Sequence, residues 1–294
     1  MQKRKRRWGD RYDGYKLRKV DPFFVLIPHV MRSRVDSQVF FEEQIDIDDL
    51  EKYVRRKRQE GVKNCTMLTV IVAATARMLA LRPGLNRFVA GKHIFARNIL
   101  RISMAVKRNM TIDGEETTLV FEFKPTDTLY DVSEQINRLI TESKGAESEK
   151  NSTDKVAHLI SHIPSFLISL VVGCVRNLDK LGFMPRAIYK ASPFHSSVFV
   201  TDVGSLGINP VYHHLYEFGT TSVFIAMGKK KTENYLKPDG TVGQRRFLPI
   251  RFVLDERICD GFYYANAIRS FVKLLRTPEL LEQPPESIPE DPLI

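Results

Sequence analysis

The sequence is poor in the residues that build covalent or metal-bound scaffolds. Its 294 residues contain three cysteines, Cys65, Cys174 and Cys259, which are unevenly spaced and form no CxxC pair. This pattern argues against a disulfide framework and a cysteine zinc site, and it is typical of a reducing compartment. His158 and His162 are four residues apart but have no third ligand nearby, so we expect no metal site.

Long hydrophobic runs and phosphate-binding loops are also missing. No run of about 18 apolar residues could span a bilayer, and the N-terminus has no apolar signal-peptide region. No glycine-rich phosphate loop or dinucleotide fingerprint is present. We therefore predict a cytoplasmic protein, with peripheral membrane association as the open alternative.

Charge is distributed unevenly along the chain. The formal net charge is +10; residues 1–19 hold nine Lys/Arg against two Asp, and residues 279–294 hold five acids and no base. We divide the chain into a basic N-terminal arm (1–22), a main domain (23–278) and an acidic, proline-rich tail (279–294). The arm is typical of a contact with an anionic membrane surface or nucleic acid, but it also fits a disordered tail or an arm packed on a neighbouring subunit. A membrane or nucleic-acid binder that works through the arm is the less favoured function because basic tails are common, and nucleic acid is the less favoured of the two partners.

The main domain alternates between strand and helix patterns. Period-two alternation predicts strands near residues 39–47, 100–106, 119–123 and 248–254. Helical spacing predicts helices over residues 50–58, 68–79, 129–140 and 265–275. The apolar run 23–27 is expected to end at Pro28, and Thr128 with Asp131 is predicted to form a capping box.

One strand end carries the most informative pattern. The even positions from Leu248 to Leu254 are apolar, as on a strand with one buried face, and Glu256 continues that face. Glu256 is therefore expected to be poorly solvated unless an arginine reaches it. Asp260 is the predicted N-cap of the next helix. An inward acid before a turn is typical of a functional site.

Residues 255–261 read Asp-Glu-Arg-Ile-Cys-Asp-Gly, which resembles the His-x-x-x-Asp-Gly signature of the chloramphenicol acetyltransferase superfamily. In particular, it is similar to Asp-His-Arg-x-x-Asp-Gly in the catalytic domain of dihydrolipoyl acyltransferases of 2-oxoacid dehydrogenase complexes. Residues 29–50, 81–86, 197–208 and 223–229 resemble further parts of that domain in the same order. The resemblance extends over residues 28–278 and breaks at 143–194.

The resemblance implies an architecture and an assembly. We expect an α/β two-layer sandwich in which helices pack on a mixed β-sheet of about six strands. Only 27 residues precede the resembling region, so we expect no lipoyl or subunit-binding domain before it. Because the family builds its active site between subunits of a trimer, we expect a homotrimer with an inter-subunit site.

The resemblance also implies acyl transfer from coenzyme A to a hydroxyl, amine or thiol acceptor. In the family a histidine is the general base and a nearby hydroxyl stabilises the oxyanion. On this match Glu256 takes the histidine position, Thr201 supplies the hydroxyl, and Asp260 is a structural residue that pairs with Arg34 or Arg257.

The exchange of histidine for Glu256 leaves two functions open. An unperturbed glutamate has a pKa of about 4.3, roughly two units below imidazole, although burial raises carboxylate pKa values. Losing a matched base costs about 10²–10⁴-fold. The alternative is a catalytically inactive relative that serves as an oligomeric scaffold or regulatory partner, with Glu256 bound to a core arginine. His195, six residues before Thr201, is a second candidate base.

The atypical insertion 143–194 has no counterpart in the family. Residues 143–155 are polar and are predicted to form a linker, and residues 163–175 are apolar. The apolar part either forms buried helices or an oligomer contact, or it is an amphipathic surface for lipid or a long acyl chain. Phe166, Leu170 and Phe183 are the candidate acyl-chain surface.

Overall fold

A computed structural model describes residues 4–107, 116–145 and 163–294 of the chain. Within these ranges the strands are β1 (Gly14–Lys16), β2 (Gln38–Asp46), β3 (Arg87–Ala90), β4 (His93–Arg97), β5 (Leu100–Lys107), β6 (Glu116–Phe123), β7 (Val198–Asp202), β8 (Val223–Met227), β9 (Lys231–Leu236) and β10 (Val242–Asp255). The α-helices in the same ranges are α1 (Pro22–Val30), α2 (Asp48–Gln59), α3 (Met67–Leu81), α4 (Leu129–Gly145), α5 (Ser165–Leu181), α6 (Arg186–Ala191) and α7 (Gly261–Arg276).

The large sheet has seven strands. Six lie side by side in the order β2-β10-β8-β7-β5-β6, and β9 pairs with the first part of β10. β7 runs parallel to both β5 and β8, and the other pairs are antiparallel. The predicted mixed sheet of about six strands is therefore confirmed.

Helices cover one face of this sheet and enclose the main core. The alternation that predicted β10 places Leu248, Ile250, Phe252 and Leu254 on this face, and all are buried. The ring of Phe252 meets that of Phe271 of α7 edge-on, with centroids 5.6 Å apart. Residues of α2, α3 and α4 complete the same apolar cluster. The predicted two-layer α/β sandwich is confirmed.

The basic arm packs on its own chain. β1 of the arm pairs antiparallel with β4, Tyr15 opposite Ala96, in a small sheet of order β1-β4-β3. β1 of the arm is therefore held on its own chain, and the expectation of a disordered tail is wrong for this strand. Backbone pairing with β4 holds it because its N–H and C=O groups find partners there.

The acidic tail is tied to the domain through Asp291. Its carboxylate accepts two hydrogen bonds from the guanidinium of Arg87, at 2.6 and 2.7 Å, and both side chains are buried. The backbone N–H groups of Arg18 and Lys19 donate to the carbonyl of Leu293. Arm and tail therefore bind each other as well as the domain.

The prediction that the first apolar run ends at Pro28 is wrong. Residues 23–27 do not stop at Pro28 but belong to α1, which continues to Val30. Asp21 caps this helix by accepting a hydrogen bond from the N–H of Phe23 at 2.9 Å. Pro28 lies in the last turn, where its missing N–H costs only one helical hydrogen bond.

Several local predictions are confirmed by geometry. Thr128 and Asp131 form the predicted capping box at the start of α4, with reciprocal backbone bonds of 2.8 and 3.4 Å. Residues 143–145 of the predicted linker belong to α4, and the rest of the linker lies outside the described residues. No helix in the described ranges is long and apolar enough to cross a membrane.

Candidate active site

The end of β10 places Asp255, and not Glu256, in the buried position. Asp255 is fully buried, and its two carboxylate oxygens accept hydrogen bonds from Nε and Nη2 of Arg257 at 2.8 and 2.7 Å. The hydroxyl of Ser37 adds a third bond to Asp255 at 2.9 Å. Because a buried carboxylate needs such partners, the arginine expected for Glu256 or Asp260 is committed to Asp255.

Glu256 is exposed, so the prediction of an inward acid is wrong. The strand ends at Asp255, and the turn that follows breaks the period-two pattern. The backbone N–H of Glu256 donates to the carbonyl of Ser37 at 2.8 Å, which fixes the position of Glu256. Among the described residues the carboxylate has no hydrogen-bond or ion-pair partner. The carboxylate is therefore open to contact with another molecule.

Exposed apolar side chains lie in the segments that adjoin Glu256. Val30 and Val35 precede Ser37, and Phe262 stands in the first turn of α7 with 78% of its surface exposed. Apolar side chains around a free carboxylate are typical of a surface that another molecule covers.

Asp260 caps α7, as predicted. Its carboxylate accepts a hydrogen bond from the backbone N–H of Tyr263 at 2.8 Å. Neither predicted arginine contacts it. Arg34 instead donates to the carbonyl of Val89 at 2.8 Å and to that of Glu217 at 3.3 Å. Asp260 therefore stabilises the helix start and is not part of a buried ion pair.

Thr201 lies on β7, on the sheet face away from the helices. The alternate residues Val198 and Val200 enter the core, so Thr201 shares the opposite face with Phe199. Its hydroxyl has no hydrogen-bond partner in the described part of the chain. The neighbouring Asp202 accepts a hydrogen bond from the N–H of Ser205 at 3.1 Å, and burial raises the pKa of Asp202. Thr201 thus offers a free donor beside an ordered turn.

Thr201 and Glu256 lie far apart within one chain. Thr201 of β7 pairs in register with Ala226 of β8, and Ala226 pairs in register with Arg251 of β10. Glu256 is five residues beyond Arg251, which is about 17 Å along the strand direction. The sheet therefore presents the two predicted site residues at opposite ends.

His195, the second candidate base, is fully buried. Its Nδ1 lies 2.7 Å from Oγ of Ser192, and its Nε2 lies 3.2 Å from Oδ2 of Asp179. Burial lowers the pKa of His195, although Asp179 opposes this effect. Both ring nitrogens are occupied, so this geometry offers no free nitrogen to a substrate.

Arg11 of the basic arm completes the cluster around His195. Its Nη2 donates to Oδ1 of Asp179 at 2.7 Å, and its Nε donates to Asp13 at 2.8 Å. Burial raises the pKa of Asp179, but the contacts with His195 and Arg11 outweigh it and hold that pKa below its usual value. The cluster therefore joins the arm, the end of α5 and the entry to β7.

Neither this cluster nor the ion pair at the end of β10 was predicted. Arg257 two residues after Asp255 was the one available signal for the ion pair, and the strand pattern pointed to Glu256 instead. No sequence signal links Arg11 to Asp179, 168 residues away.

The other candidate residues stay apart from these groups. Phe166, Leu170 and Phe183 are exposed, at 72%, 62% and 73% of their surface. Cys259 is buried, which raises its pKa to about 12, so it is a core residue. No group of three metal-ligating side chains occurs in the described ranges, and His158 with His162 lies outside them.

A cavity of about 330 Å³ lies elsewhere, between α3, β4 and the tail. Asn86 and Arg97 line it, and the Oδ1 of Asn86 and the Nε of Arg97 have no hydrogen-bond partner among the described residues. None of the predicted site residues lines this cavity. This cavity therefore does not connect Glu256 with Thr201.

Comparison with known proteins gives structural matches only. No protein-family model and no curated protein matches the chain. The cubic core of the pyruvate dehydrogenase multienzyme complex is 17% identical, with 83% of each chain covered and a TM-score of 0.56. A probable dihydrolipoamide acetyltransferase from Listeria monocytogenes is 13% identical, with 88% of this chain and 93% of that chain covered and a TM-score of 0.56.

The dihydrolipoamide acetyltransferase of Azotobacter vinelandii is 16% identical, with 83% of each chain covered and a TM-score of 0.55. In that enzyme a serine, a histidine and an asparagine have been investigated for their role in the catalytic mechanism. At these identities the likeness concerns the fold. The chain has the mixed α/β fold of the dihydrolipoyl acyltransferase catalytic core, as its motif predicted.

Proposed function

We propose that the protein is an acyltransferase whose active site forms between subunits of a homotrimer. The observation that carries this proposal is the position of Glu256 and Thr201 at opposite ends of one sheet, each with a free side chain. A single chain keeps them about 17 Å apart along the strands. Two copies arranged head to tail bring the Glu256 end of one chain to the Thr201 end of the next.

Exposed apolar residues support such a contact at both ends. Near Glu256 these are Val35 and Phe262, and near Thr201 they are Leu206 and Ile208. Covering both surfaces at once removes apolar area from water. It also removes water from the carboxylate of Glu256, which disfavours its free charge and strengthens it as a base.

The proposed reaction uses an acyl-coenzyme A thioester as donor. Glu256 accepts the proton of the acceptor's hydroxyl, amine or thiol while the acceptor atom attacks the thioester carbonyl. The hydroxyl of Thr201 donates a hydrogen bond to the oxyanion that forms. Collapse breaks the carbon–sulfur bond, and the departing thiolate takes the proton from Glu256. The net charge of +10 favours a donor that carries several phosphates.

The rival proposal is an inactive scaffold in the reducing cytoplasm. One observation favours it: Glu256 stands where the resembling enzymes have the histidine that acts as general base.

Complementation between two inactive variants tests the composite site. Glu256→Gln is expected to lower thiol release by about 10²–10⁴-fold, and Thr201→Ala by about 10²–10³-fold. Each mixed trimer of the two variants regains a site wherever an intact Glu256 meets an intact Thr201. Equal mixing should restore about one quarter of wild-type activity. Each site needs a subunit with intact Glu256 next to a subunit with intact Thr201, and each of these two conditions is met with a probability of about one half.

Failure to regain activity on mixing contradicts an inter-subunit site. A monodisperse monomer in analytical ultracentrifugation contradicts the trimer. If neither coenzyme A binding nor thiol release occurs with any acyl chain, the scaffold is correct.

A further inference from the structure

Helix α5 presents an apolar stripe to solvent. Ile168, Val172 and Val175 are partly covered and Asp179 is buried, so these residues form its inward side. At 100° per residue the opposite side collects exposed apolar residues. These are Phe166, Leu167, Leu170, Val171, Cys174, Leu178 and Leu181. The stripe continues past the helix to Phe183. We call the whole set the α5 stripe.

Within the described residues 163–191, every exposed charge is positive. Arg176 and Lys180 lie on α5, Arg186 and Lys190 lie on or at the start of α6, and all four are exposed. The single acid between residues 163 and 191 is Asp179, which is buried. By helical spacing Lys180 lies about 120° and Arg176 about 160° from the centre of the stripe, both on the side of Phe166.

The basic arm is anchored at the end of the same helix. Arg11 donates to both the carbonyl and the carboxylate of Asp179 in the last turn of α5. From this anchor the residues Arg4 to Arg7 are exposed and basic, and Trp8 is 99% exposed. The buried ion pair therefore anchors the basic arm to the C-terminal end of α5.

We propose that the α5 stripe and the arm bind an anionic lipid surface. A helix with an apolar side flanked by cations lies in the plane of a membrane, with its apolar side among the acyl chains and its cations at the headgroups. The exposed tryptophan fits the same interface, because its ring is apolar and its N–H remains wet. The proposal is independent of the acyl-transfer proposal.

The charges argue against other occupants of this surface. A second copy packed here through its own α5 would bring together two segments, residues 163–191 of each chain, whose exposed charges are all positive. A nucleic acid would match the cations but would leave Phe166, Leu170 and Phe183 in water. A single acyl chain needs a concave pocket, whereas the stripe is the convex side of a helix.

Trp8 supplies a direct readout because it is the one tryptophan of the chain. The full-length protein is mixed with vesicles of phosphatidylcholine containing about 30% phosphatidylserine, and with pure phosphatidylcholine vesicles as control. Flotation should recover the protein with anionic vesicles only, and Trp8 emission should shift to the blue. Raising the salt concentration should weaken binding because the headgroup attraction is screened.

Paired variants separate the apolar and the charged contributions. Phe166→Gln with Leu170→Gln should weaken binding at least about tenfold, since two exposed anchors are lost. Leu236→Gln is the matched control, because Leu236 is equally exposed but lies on β9. Arg176→Gln with Lys180→Gln should weaken binding about 25-fold, at about fivefold per charge. Lys229→Gln with Lys237→Gln should change it far less.

Three results overturn the proposal. The first is no binding to anionic vesicles, and the second is binding that the stripe variants leave unchanged. The third is a stripe variant that dissociates an oligomer of the wild-type protein, which assigns the stripe to a second copy. The salt series and the Trp8 shift use the unaltered chain, so they decide the question even where a variant misfolds.

Discussion

Arg257 holds both carboxylate oxygens of Asp255, at 2.8 and 2.7 Å, and this ion pair closes the end of β10. Glu256, which follows Asp255 in the chain, faces solvent. Two adjacent acids therefore have opposite environments, one neutralised inside the protein and one free at its surface. Because of this contrast, substitutions of Asp255 and Glu256 can distinguish a structural role from a catalytic role.

Glu256→Gln should leave stability unchanged and remove acyl transfer. The free energy of unfolding is expected to stay within about 0.5 kcal/mol, since exposed side chains without partners contribute little. Urea unfolding and thiol release measure the two effects. A large loss of stability would contradict the exposed position of Glu256.

Asp255→Asn should have the opposite effect, because it leaves the buried Arg257 guanidinium without its anion. Breaking a buried pair costs about 3–5 kcal/mol. The same urea titration measures this loss, and Glu42→Gln, in an ion pair with the partly exposed Arg251, is the surface control. A cost below about 1 kcal/mol, as for surface pairs, would contradict the buried pair.

Asp260→Ala should cost about 1 kcal/mol, the usual contribution of an N-cap. Its carboxylate bonds only the N–H of Tyr263 in the described structure, so no buried arginine is released. Asp260→Ser should recover most of the loss, because serine also caps helices. A loss as large as that of Asp255→Asn would mean that an arginine does pair with Asp260.

Removing Asp291 should release the tail from the domain. Asp291→Ala leaves the buried guanidinium of Arg87 unpaired, so we expect a cost of about 3–5 kcal/mol in thermal unfolding. Limited proteolysis near residue 285 should accelerate. Glu279→Ala is the control, since its ion pair with Arg56 is half exposed and contributes at most about 1 kcal/mol.

His195 should make the protein less stable in mild acid. Burial lowers its pKa in the folded state, while the unfolded chain takes up the proton near the ordinary value of about 6.5. The stability contribution is therefore complete above about pH 6.5 and falls as the pH drops, by up to about 1.4 kcal/mol per pH unit. Asp179 and Asp13 reduce this effect, and Arg97 enhances it.

Comparison of the wild-type protein with His195→Gln measures this contribution. Unfolding midpoints between pH 7.5 and 5 should converge as the pH falls, because the variant lacks the buried imidazole. His214→Gln, at an exposed position, should follow the wild type. Parallel curves for wild type and His195→Gln would contradict the shift.

The sequence by itself determined the elements whose pattern is local. The alternation from Leu248 to Leu254, the cap of Asp260 and the capping box of Thr128 each depend on neighbours within a few residues. Side-chain periodicity and backbone capping act over one or two turns, so these features can be read without the rest of the chain. The motif at residues 255–261 then indicated the mixed α/β fold.

Only the tertiary structure decided which acid is buried and where the site residues stand. Glu256 follows the strand pattern, but the turn after Asp255 rotates it outward, and Arg257 stabilises the other acid instead. The separation of Thr201 from Glu256 follows from strand order, and the contact of Arg11 with Asp179 joins segments far apart in sequence. Ion pairing and strand order depend on groups that meet only when the chain is folded, so a local pattern cannot encode them.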